Sequence, residues 1–105
     1  LVEIARERTA LAARAVDGTI GLDEIQGGTF TITNLGAFGA DAFTPIVNPP
    51  QCAILGVGRI AERPWVVDGE LGVRPTLWLS ITFDHRLVDG APAARFLEAL
   101  AGRLA

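Results

Sequence analysis

Residues 71–90, LGVRPTLWLSITFDHRLVDG, carry the clearest strand pattern of the sequence and its only histidine. Apolar and polar residues alternate through 71–83, which predicts one long strand. The polar stretch 84–90 predicts a turn. Apolar residues then recur every three or four positions through 93–104, which predicts a terminal amphipathic helix. His85 is therefore expected at the corner between a strand and a helix.

The segments before this stretch predict further strands. Residues 66–70 contain Asp68-Gly69, a pair that favours a tight β-hairpin. The apolar run 52–57 is typical of a strand that is covered on both faces. Residues 43–47 predict a short edge strand.

The start of the chain predicts two helical segments and another strand. Residues 1–16 are rich in helix-forming side chains and precede a stop signal at Asp17-Gly18. Residues 22–26 predict a short helical turn. In 29–33, apolar residues alternate with three threonines, which predicts a strand.

A glycine-rich segment, 34–42, separates that strand from the rest of the chain. It predicts an irregular loop in which Gly36 and Gly39 occupy backbone positions that a side chain would forbid.

Length and composition indicate one small domain that belongs to something larger. A chain of 105 residues exposes roughly 16,000 Å² when unfolded and roughly 5,700 Å² when compact, which predicts a sizeable core. The mean hydropathy of +0.36 is high for a domain of this size and indicates buried interfaces. Because the chain has no methionine and opens in a helical pattern, we expect it to be part of a longer protein.

The charge pattern excludes several classes of partner. The chain has nine arginines and twelve acidic residues, which give a net charge of −3. Because the sequence also has no basic stripe, we expect no nucleic-acid binding. The longest uncharged run, 42–58, contains three prolines and is too short and polar to span a bilayer, so we expect no membrane insertion. A single cysteine favours a reducing compartment.

His85 and Asp89 form the main candidate for chemistry. A histidine that is mostly neutral near pH 7 can accept a proton from a thiol or an alcohol. Asp89 follows four residues later, where a carboxylate can fix the loop by pairing with an arginine. The alternative is a surface histidine on a turn, with Asp89 only capping the last helix.

Thr33 is the second candidate, because it ends the threonine-bearing strand at the mouth of the glycine-rich loop. A hydroxyl there can donate a hydrogen bond to a developing oxyanion. The alternative is that all three threonines are β-branched residues on a solvated strand face.

Three other motifs favour structural interpretations. Residues 56–61 match a loose dinucleotide-binding pattern, but Pro64 follows too soon for a phosphate-binding helix, so they predict a strand exit. Cys52 lies in an apolar run and is expected to be a small buried residue. Ser80 lies within a strand and lacks the turn of a nucleophilic serine. One cysteine and one histidine do not make a zinc site.

Four linked motifs resemble the catalytic core of the dihydrolipoyl acyltransferases of 2-oxo acid dehydrogenase complexes. In chain order they are GGTFTITNLG at 27–36, FTPIVNPPQ at 43–51, AILGVG at 53–58 and DHRLVDG at 84–90. The resemblance covers nearly the whole chain and is far more specific than the His-x-x-x-Asp-Gly motif alone.

The resemblance implies a fold and a set of site residues. It implies an α+β, two-layer sandwich of the chloramphenicol acetyltransferase type, with a mixed β-sheet and flanking helices. Residues 1–105 would be the C-terminal half of that catalytic domain. His85 would stand at the position of the catalytic base, Asp89 at that of a conserved Asp or Asn, and Thr33 at that of a Ser or Thr hydroxyl.

The resemblance also implies an activity and partners. An acyl group would pass between dihydrolipoamide, carried on a separate lipoyl domain, and coenzyme A. Homotrimers would share active sites between subunits and build a larger core, which would bind the dehydrogenase and dihydrolipoyl dehydrogenase components. The location would be cytoplasmic in a bacterium or the mitochondrial matrix in a eukaryote. The alternatives are another HxxxD-type acyltransferase and a non-catalytic homologue of the core.

Overall fold

A three-stranded mixed sheet forms the centre of the fold in a computed structural model of the chain, which describes residues 1–104. The helices and strands, in chain order, are α1 Val2–Asp17, α2 Leu22–Ile25, β1 Thr31–Asn34, a 3₁₀ turn Gly36–Phe38, β2 Ala53–Val57, β3 Ala61–Val67, β4 Glu70–Thr76, β5 Leu79–Phe83 and α3 Gly90–Leu104. The central strand, β2, pairs in parallel with β1 and antiparallel with β5. The strand expected within 52–57 is confirmed, since Ala53, Ile54 and Leu55 are all buried.

The predicted hairpin is confirmed and forms a separate two-stranded sheet of β3 and β4. Asp68 and Gly69 form its turn with φ of 52° and 79°. Positive φ at both central turn residues matches the twist of the flanking strands, and the Asp-Gly pair favours that geometry.

The prediction of one strand through 71–83 is wrong. The chain pairs with β3 up to Thr76 and with β2 from Leu79, and Leu77 and Trp78 lie between the two sheets. Apolar alternation continues through this switch although it does not follow burial in this chain, since Leu71 and Val73 are exposed and every residue of β5 is half-buried. The pattern therefore does not reveal the change of partner strand.

The predicted edge strand at 43–47 is also wrong, because this segment packs across a face of β2 instead of beside it. A methyl group at Gly56 would lie 3.0 Å from the Phe43 ring and 3.3 Å from Pro45. Pro45 is buried. The segment therefore covers the central strand without joining the sheet.

The strand expected at 29–33 begins two residues later, at Thr31, and its threonines are not on the solvated face. Thr31 and Thr33 are half-buried, whereas Ile32 is 68% exposed. The Thr31 hydroxyl donates a hydrogen bond of 2.5 Å to Oε1 of Gln51. The side of β1 that carries Thr31 and Thr33 therefore faces the rest of the chain, and the side that carries Ile32 faces solvent.

The predicted helices are confirmed, with small shifts at their ends. α1 ends at Gly18, whose φ of 73° allows its backbone to close the helix. An ion pair between Arg14 and Glu24 joins α1 to α2. α3 lies against β5, and its Phe96 ring is 5.8 Å from that of Phe30.

The core is smaller than the sequence predicts. The chain exposes 8202 Å², well above the roughly 5,700 Å² expected of a compact protein of this mass. Among residues 1–104, the buried apolar side chains are Pro45, Ala53, Ile54, Leu55 and Ala93, whereas many large apolar residues are exposed. Within residues 1–104, none of the helices has the length and apolar character needed to cross a bilayer.

Candidate active site

The histidine loop, residues 84–90, follows β5 directly. It begins with Asp84, whose backbone makes three hydrogen bonds. The backbone N–H of Asp84 donates to the carbonyl oxygen of Cys52 at 2.7 Å, one step beyond the last β2–β5 pair. The carbonyl oxygen of Asp84 accepts hydrogen bonds from Leu87 and Val88 at 2.9 and 3.1 Å. The loop is therefore a tight turn, as the sequence predicts.

The His85 side chain projects into solvent from this turn. It is 73% exposed, its ring centroid lies 5.6 Å from that of Phe83, and its Nδ1 is 4.0 Å from Oδ1 of Asp89. The Asp89 side chain is 85% exposed. The structure thus brings the two predicted residues together, with an imidazole that a substrate can reach.

The arginine in this loop pairs with Asp84, which corrects the expectation that Asp89 pairs with an arginine. Arg86 Nη2 lies 2.7 Å from Oδ2 of Asp84, and its Nε lies 3.0 Å from Oδ1. Hydrogen bonds from the Arg86 side chain, then from its backbone, lower the pKa of Asp84 to about 2. The pairing raises the pKa of Arg86 in turn.

Asp89 stands directly before α3. Its carbonyl oxygen accepts a hydrogen bond of 3.3 Å from the N–H of Ala93. Within residues 1–104 its carboxylate makes no hydrogen bond, so the side chain does not cap the helix. Its charge is therefore free to act on His85.

Thr33 lies on β1 beside Gly56, far from His85 of the same chain. Gly56 pairs with Ser80 on the other side, whereas His85 follows the strand pair of Ala53 and Phe83 at the other end of the sheet. Thr33 and Phe83 are two strand spacings apart across the sheet and three residues apart along β5. Together these offsets separate them by about 14 Å. The structure does not bring Thr33 and His85 together within one chain.

The loop after Thr33 is held by close backbone contacts. The Asn34 side chain accepts a hydrogen bond of 2.8 Å from the N–H of Gly36. A methyl group at Gly36 would come within 2.7 Å of the Gly58 carbonyl oxygen, and one at Gly58 within 1.9 Å of the Asp41 carbonyl oxygen. Gly39 has φ of 83°, as expected for a position that disfavours side chains.

These contacts also account for the glycine pattern at 56–61. Gly56 and Gly58 lack side chains because the segment preceding β2 packs against them. β2 ends at Val57, so the predicted strand exit is confirmed. Ser80 lies within β5 as expected, and Cys52 is half-buried rather than buried.

A small ion cluster fixes the far end of the glycine-rich loop. Arg59 and Arg63 both reach Oδ1 of Asp41, at 2.8 and 2.9 Å. Hydrogen bonding from Arg59, followed by its charge and the contacts with Arg63, lowers the pKa of Asp41. Because Arg59 follows β2, this cluster lies at the opposite end of the strand from His85.

Sequence reasoning missed Asp84 and Gln51. The signal for Asp84 is an acidic residue directly after a strand with an arginine two positions on, a spacing that favours a side-chain turn. The signal for Gln51 is a single polar residue that follows two prolines and directly precedes a buried strand. Gln51 accepts the bond from Thr31, and so links β1 to the segment that holds the histidine loop.

An open, apolar groove of about 440 Å³ lies away from His85, and its lining includes Trp65, Trp78 and Leu104. Trp65 lies on β3, Trp78 directly precedes β5, and Leu104 ends α3. The groove is therefore at the opposite end of β5 from the histidine loop. In the described part of the chain, no group of three His, Cys, Asp or Glu residues is placed to hold a metal ion.

The sequence is closely similar to known acyltransferases. Residues 1–105 match the family described as 2-oxoacid dehydrogenases acyltransferase (catalytic domain). The acetyltransferase component of the acetoin cleaving system of Bacillus subtilis is 54% identical over 101 residues, which are 95% of this chain and 25% of that protein. The succinyltransferase component of 2-oxoglutarate dehydrogenase complex 1 of Arabidopsis thaliana is 47% identical over 91% of this chain and 21% of its own length.

The fold is similar to solved catalytic cores. The cubic core of the pyruvate dehydrogenase multienzyme complex has a TM-score of 0.95 and 46% identity, over 100% of this chain and 43% of that chain. Dihydrolipoamide acetyltransferase of Azotobacter vinelandii has a TM-score of 0.90 and 46% identity, over 95% of this chain and 41% of that chain. In that protein, the catalytic roles of a serine, a histidine and an asparagine have been investigated.

These likenesses confirm the expected α+β architecture with a mixed sheet and flanking helices, as part of a domain. The chain spans a quarter or less of the length of the curated relatives above, and about two fifths of the solved chains. Since the match extends over the whole sequence, the chain belongs to the family of 2-oxoacid dehydrogenase acyltransferases, within their catalytic domain.

Proposed function

We propose that this chain is part of an acyltransferase that moves an acyl group between dihydrolipoamide and coenzyme A in a 2-oxo acid dehydrogenase complex. The observation that carries the proposal is the family match over residues 1–105, which includes the exposed His85 with a carboxylate 4.0 Å away. Relatives that are about 50% identical are acetyl- and succinyltransferases acting on dihydrolipoyllysine residues.

His85 is the proposed general base. A free thiol has a pKa of about 8.5 and is only a few per cent ionised at pH 7, so a neutral imidazole beside it increases the reactive thiolate. His85 takes the thiol proton of coenzyme A, and the sulfur attacks the thioester carbonyl. When the tetrahedral intermediate collapses, the C–S bond to dihydrolipoamide breaks and His85 returns the proton to that leaving sulfur.

Asp89 is proposed to set the protonation pattern of His85. Its carboxylate is nearer to Nδ1, so it favours the imidazole form that carries its proton on Nδ1. Nε2 is then free to accept a proton. A separation of 4.0 Å is longer than a hydrogen bond, and such contacts often tighten when substrate binds.

Thr33 is proposed to donate a hydrogen bond to the oxyanion of the tetrahedral intermediate. The spacing of the serine, histidine and asparagine investigated in the Azotobacter vinelandii protein supports this role. That serine precedes the histidine by the same number of residues that separates Thr33 from His85. The asparagine follows the histidine at the same interval as Asp89 follows His85.

The separation of Thr33 from His85 supports a site shared between two subunits. We propose a homotrimer in which His85 of one chain meets Thr33 of its neighbour, with the trimers building a larger core. The likeness to a cubic core supports assembly. The dehydrogenase and dihydrolipoyl dehydrogenase components are the proposed partners of that core.

The chain is proposed to be the C-terminal half of the catalytic domain. Its coverage of about two fifths of the solved cores supports this position. Contacts to coenzyme A and to the lipoyl group, which a separate domain carries, would then come largely from the rest of the protein.

The test is an acyl-transfer assay of the full-length protein with coenzyme A and acetyl-, succinyl- or branched-chain acyl-dihydrolipoamide. We expect turnover with one acyl donor well above the others, and a kcat about 10²- to 10⁴-fold lower in His85→Ala. Absence of transfer from every donor, in protein that assembles normally, would contradict the proposal and favour a non-catalytic homologue.

A further inference from the structure

Every polar atom of Asp84 takes part in the hydrogen bonds that define the histidine loop. Its N–H donates to Cys52 on β2, and its carbonyl oxygen accepts from Leu87 and Val88. Oδ1 of its carboxylate accepts from the backbone N–H of Arg86 at 3.0 Å and from the Arg86 Nε at 3.0 Å. Oδ2 accepts from Nη2 of Arg86 at 2.7 Å. Asp84 thus ties the strand, the turn and the arginine to one another.

The His85 side chain, in contrast, has little to hold it. It is largely exposed, and among residues 1–104 its imidazole accepts and donates no hydrogen bond at ordinary distance. Apart from the Phe83 ring at 5.6 Å and the Asp89 carboxylate at 4.0 Å, its position is set by its backbone. The backbone of His85 is set on both sides by Asp84, whose own side chain is only 20% exposed, and by the Arg86 N–H that Asp84 binds.

The two carboxylates next to His85 are therefore in different electrostatic states. Asp84 shares its charge with Arg86 through three charge-assisted hydrogen bonds. Within residues 1–104, Asp89 has no arginine partner, and the His85 imidazole lies 4.0 Å from its carboxylate. Because the charge of Asp84 is paired with Arg86, Asp89 is the carboxylate whose charge acts on the imidazole. Asp84 instead determines the backbone conformation at His85.

We propose that Asp84 is the positioning residue of the proposed reaction: with Arg86, it fixes the backbone turn that presents His85 to the thiol. This inference rests on the proposed role of His85 as the base. Asp84 acts only through His85 and touches neither substrate.

Two substitutions in the full-length protein test this role. Asp84→Ala removes both the backbone and the arginine contacts and is expected to lower kcat about 100-fold, because misplacing a catalytic group by about 1 Å has an effect of that size. Asp84→Asn is nearly isosteric and keeps an oxygen for the Arg86 N–H, but loses the charge that holds the guanidinium. We expect a loss of about tenfold for it. The KM for coenzyme A should change less than about threefold in both, since Asp84 does not bind substrate.

The matched control is Asp17, an exposed aspartate that ends α1. Asp17→Ala and Asp17→Asn make the same chemical changes outside the site, and kcat should stay at the wild-type value. Thermal unfolding and particle size are measured for all variants, so that a loss of assembly is recognised.

Combination with His85→Ala separates positioning from a general structural role. If Asp84 acts through His85, adding Asp84→Ala to His85→Ala should lower kcat less than about twofold further. A further loss as large as in the wild-type background would overturn the inference, as would wild-type kcat in Asp84→Ala. Failure of Asp84→Asn to fold would also overturn it, by showing that Asp84 serves the fold itself. Full activity of His85→Ala would instead overturn the proposed role of His85 as the base, whereas absence of acyl transfer by the wild-type protein would overturn the proposed function.

Discussion

Thr33 and His85 lie at opposite ends of the same three-stranded sheet. Thr33 pairs with Gly56 near the end of β2, whereas the loop that carries His85 leaves β5 beside the start of β2. The hydrogen-bonded register of the sheet fixes this separation, because closing it would break the pairing of all three strands. A site that uses both side chains therefore needs two chains.

Mixing inactive subunits tests this arrangement. His85→Ala and Thr33→Val subunits, unfolded together in equal amounts and reassembled, should recover about a quarter of the wild-type activity, since a quarter of the shared sites receive one intact residue from each neighbour. Activity is measured by acyl transfer to coenzyme A.

The control is the double variant His85→Ala/Thr33→Val mixed equally with wild-type chains. Shared sites should again retain about a quarter of the activity, whereas sites built within one chain should retain about half. No recovery in the first mixture, together with half activity in the second, would place both residues of each site in one subunit.

His85→Ala should lower kcat by about 10²- to 10⁴-fold, the usual effect of losing a general base. Because the side chain is exposed and makes few contacts, thermal unfolding should stay close to wild type. Steady-state kinetics and a melting curve check both statements. Near-normal activity would refute the role of His85, and a large fall in melting temperature would leave the loss explained by unfolding instead.

Thr33→Val should lower kcat and kcat/KM together by about 10²- to 10³-fold, because the hydroxyl meets charge that develops only in the transition state. KM should hardly change. Thr33→Ser keeps the donor and is the matched control, expected to retain most of the rate. Equal kcat in the valine and wild-type proteins would exclude Thr33 from the mechanism.

Sequence patterns predicted local structure well where one short signal determines it. Asp68-Gly69 set the hairpin turn, and the buried run at 52–57 marked the central strand. The break at Leu77 and Trp78 escaped prediction because the alternation of apolar and polar residues does not indicate which strand is the partner. Residues 43–47 have the composition of a strand, but they lie over β2 where no edge is available.

The same limit applies to the site. The spacing of His85 and Asp89 placed both residues in one turn, but the expectation that Asp89 pairs with an arginine was wrong, because Arg86 pairs with Asp84. Nothing local relates Thr33 to His85, since their distance depends on strand order and register. Asp84 escaped notice because its importance lies in seven backbone and side-chain hydrogen bonds that only the folded loop displays.

The 105-residue chain on its own should self-associate. Exposed apolar residues cover both β-sheets and α1, with Ile32, Trp65, Leu71 and Ile4 among them, and contiguous surfaces of this kind mark interfaces. Sedimentation at tens of micromolar should detect oligomers, and a dye that binds apolar patches should fluoresce. A monomer that binds no dye would contradict this expectation.

Gly58→Ala should destabilise the full-length protein by about 1–3 kcal/mol, the usual effect of overpacking a close contact. The new methyl group would lie 1.9 Å from the Asp41 carbonyl oxygen, so the loop would have to move. Gly102→Ala in α3 is the matched control. Among residues 1–104, its new methyl group would meet no atom within 4 Å beyond its own helix backbone and chain neighbours. It should change stability by at most about 1 kcal/mol, in the favourable direction. Chemical denaturation measures both, and equal effects would refute the packing argument.

With Pro45, Ala53, Ile54, Leu55 and Ala93 as the buried apolar side chains of residues 1–104, this polypeptide draws little folding free energy from its own interior. Neighbours that bind only the folded form then supply the remainder by mass action, so the population of folded chains rises with protein concentration. Dilution should therefore unfold such a chain, as urea unfolds a monomer that is stable on its own. Newly made chains that have not yet bound a neighbour would be the first to be degraded by cellular proteases, because more of them are unfolded.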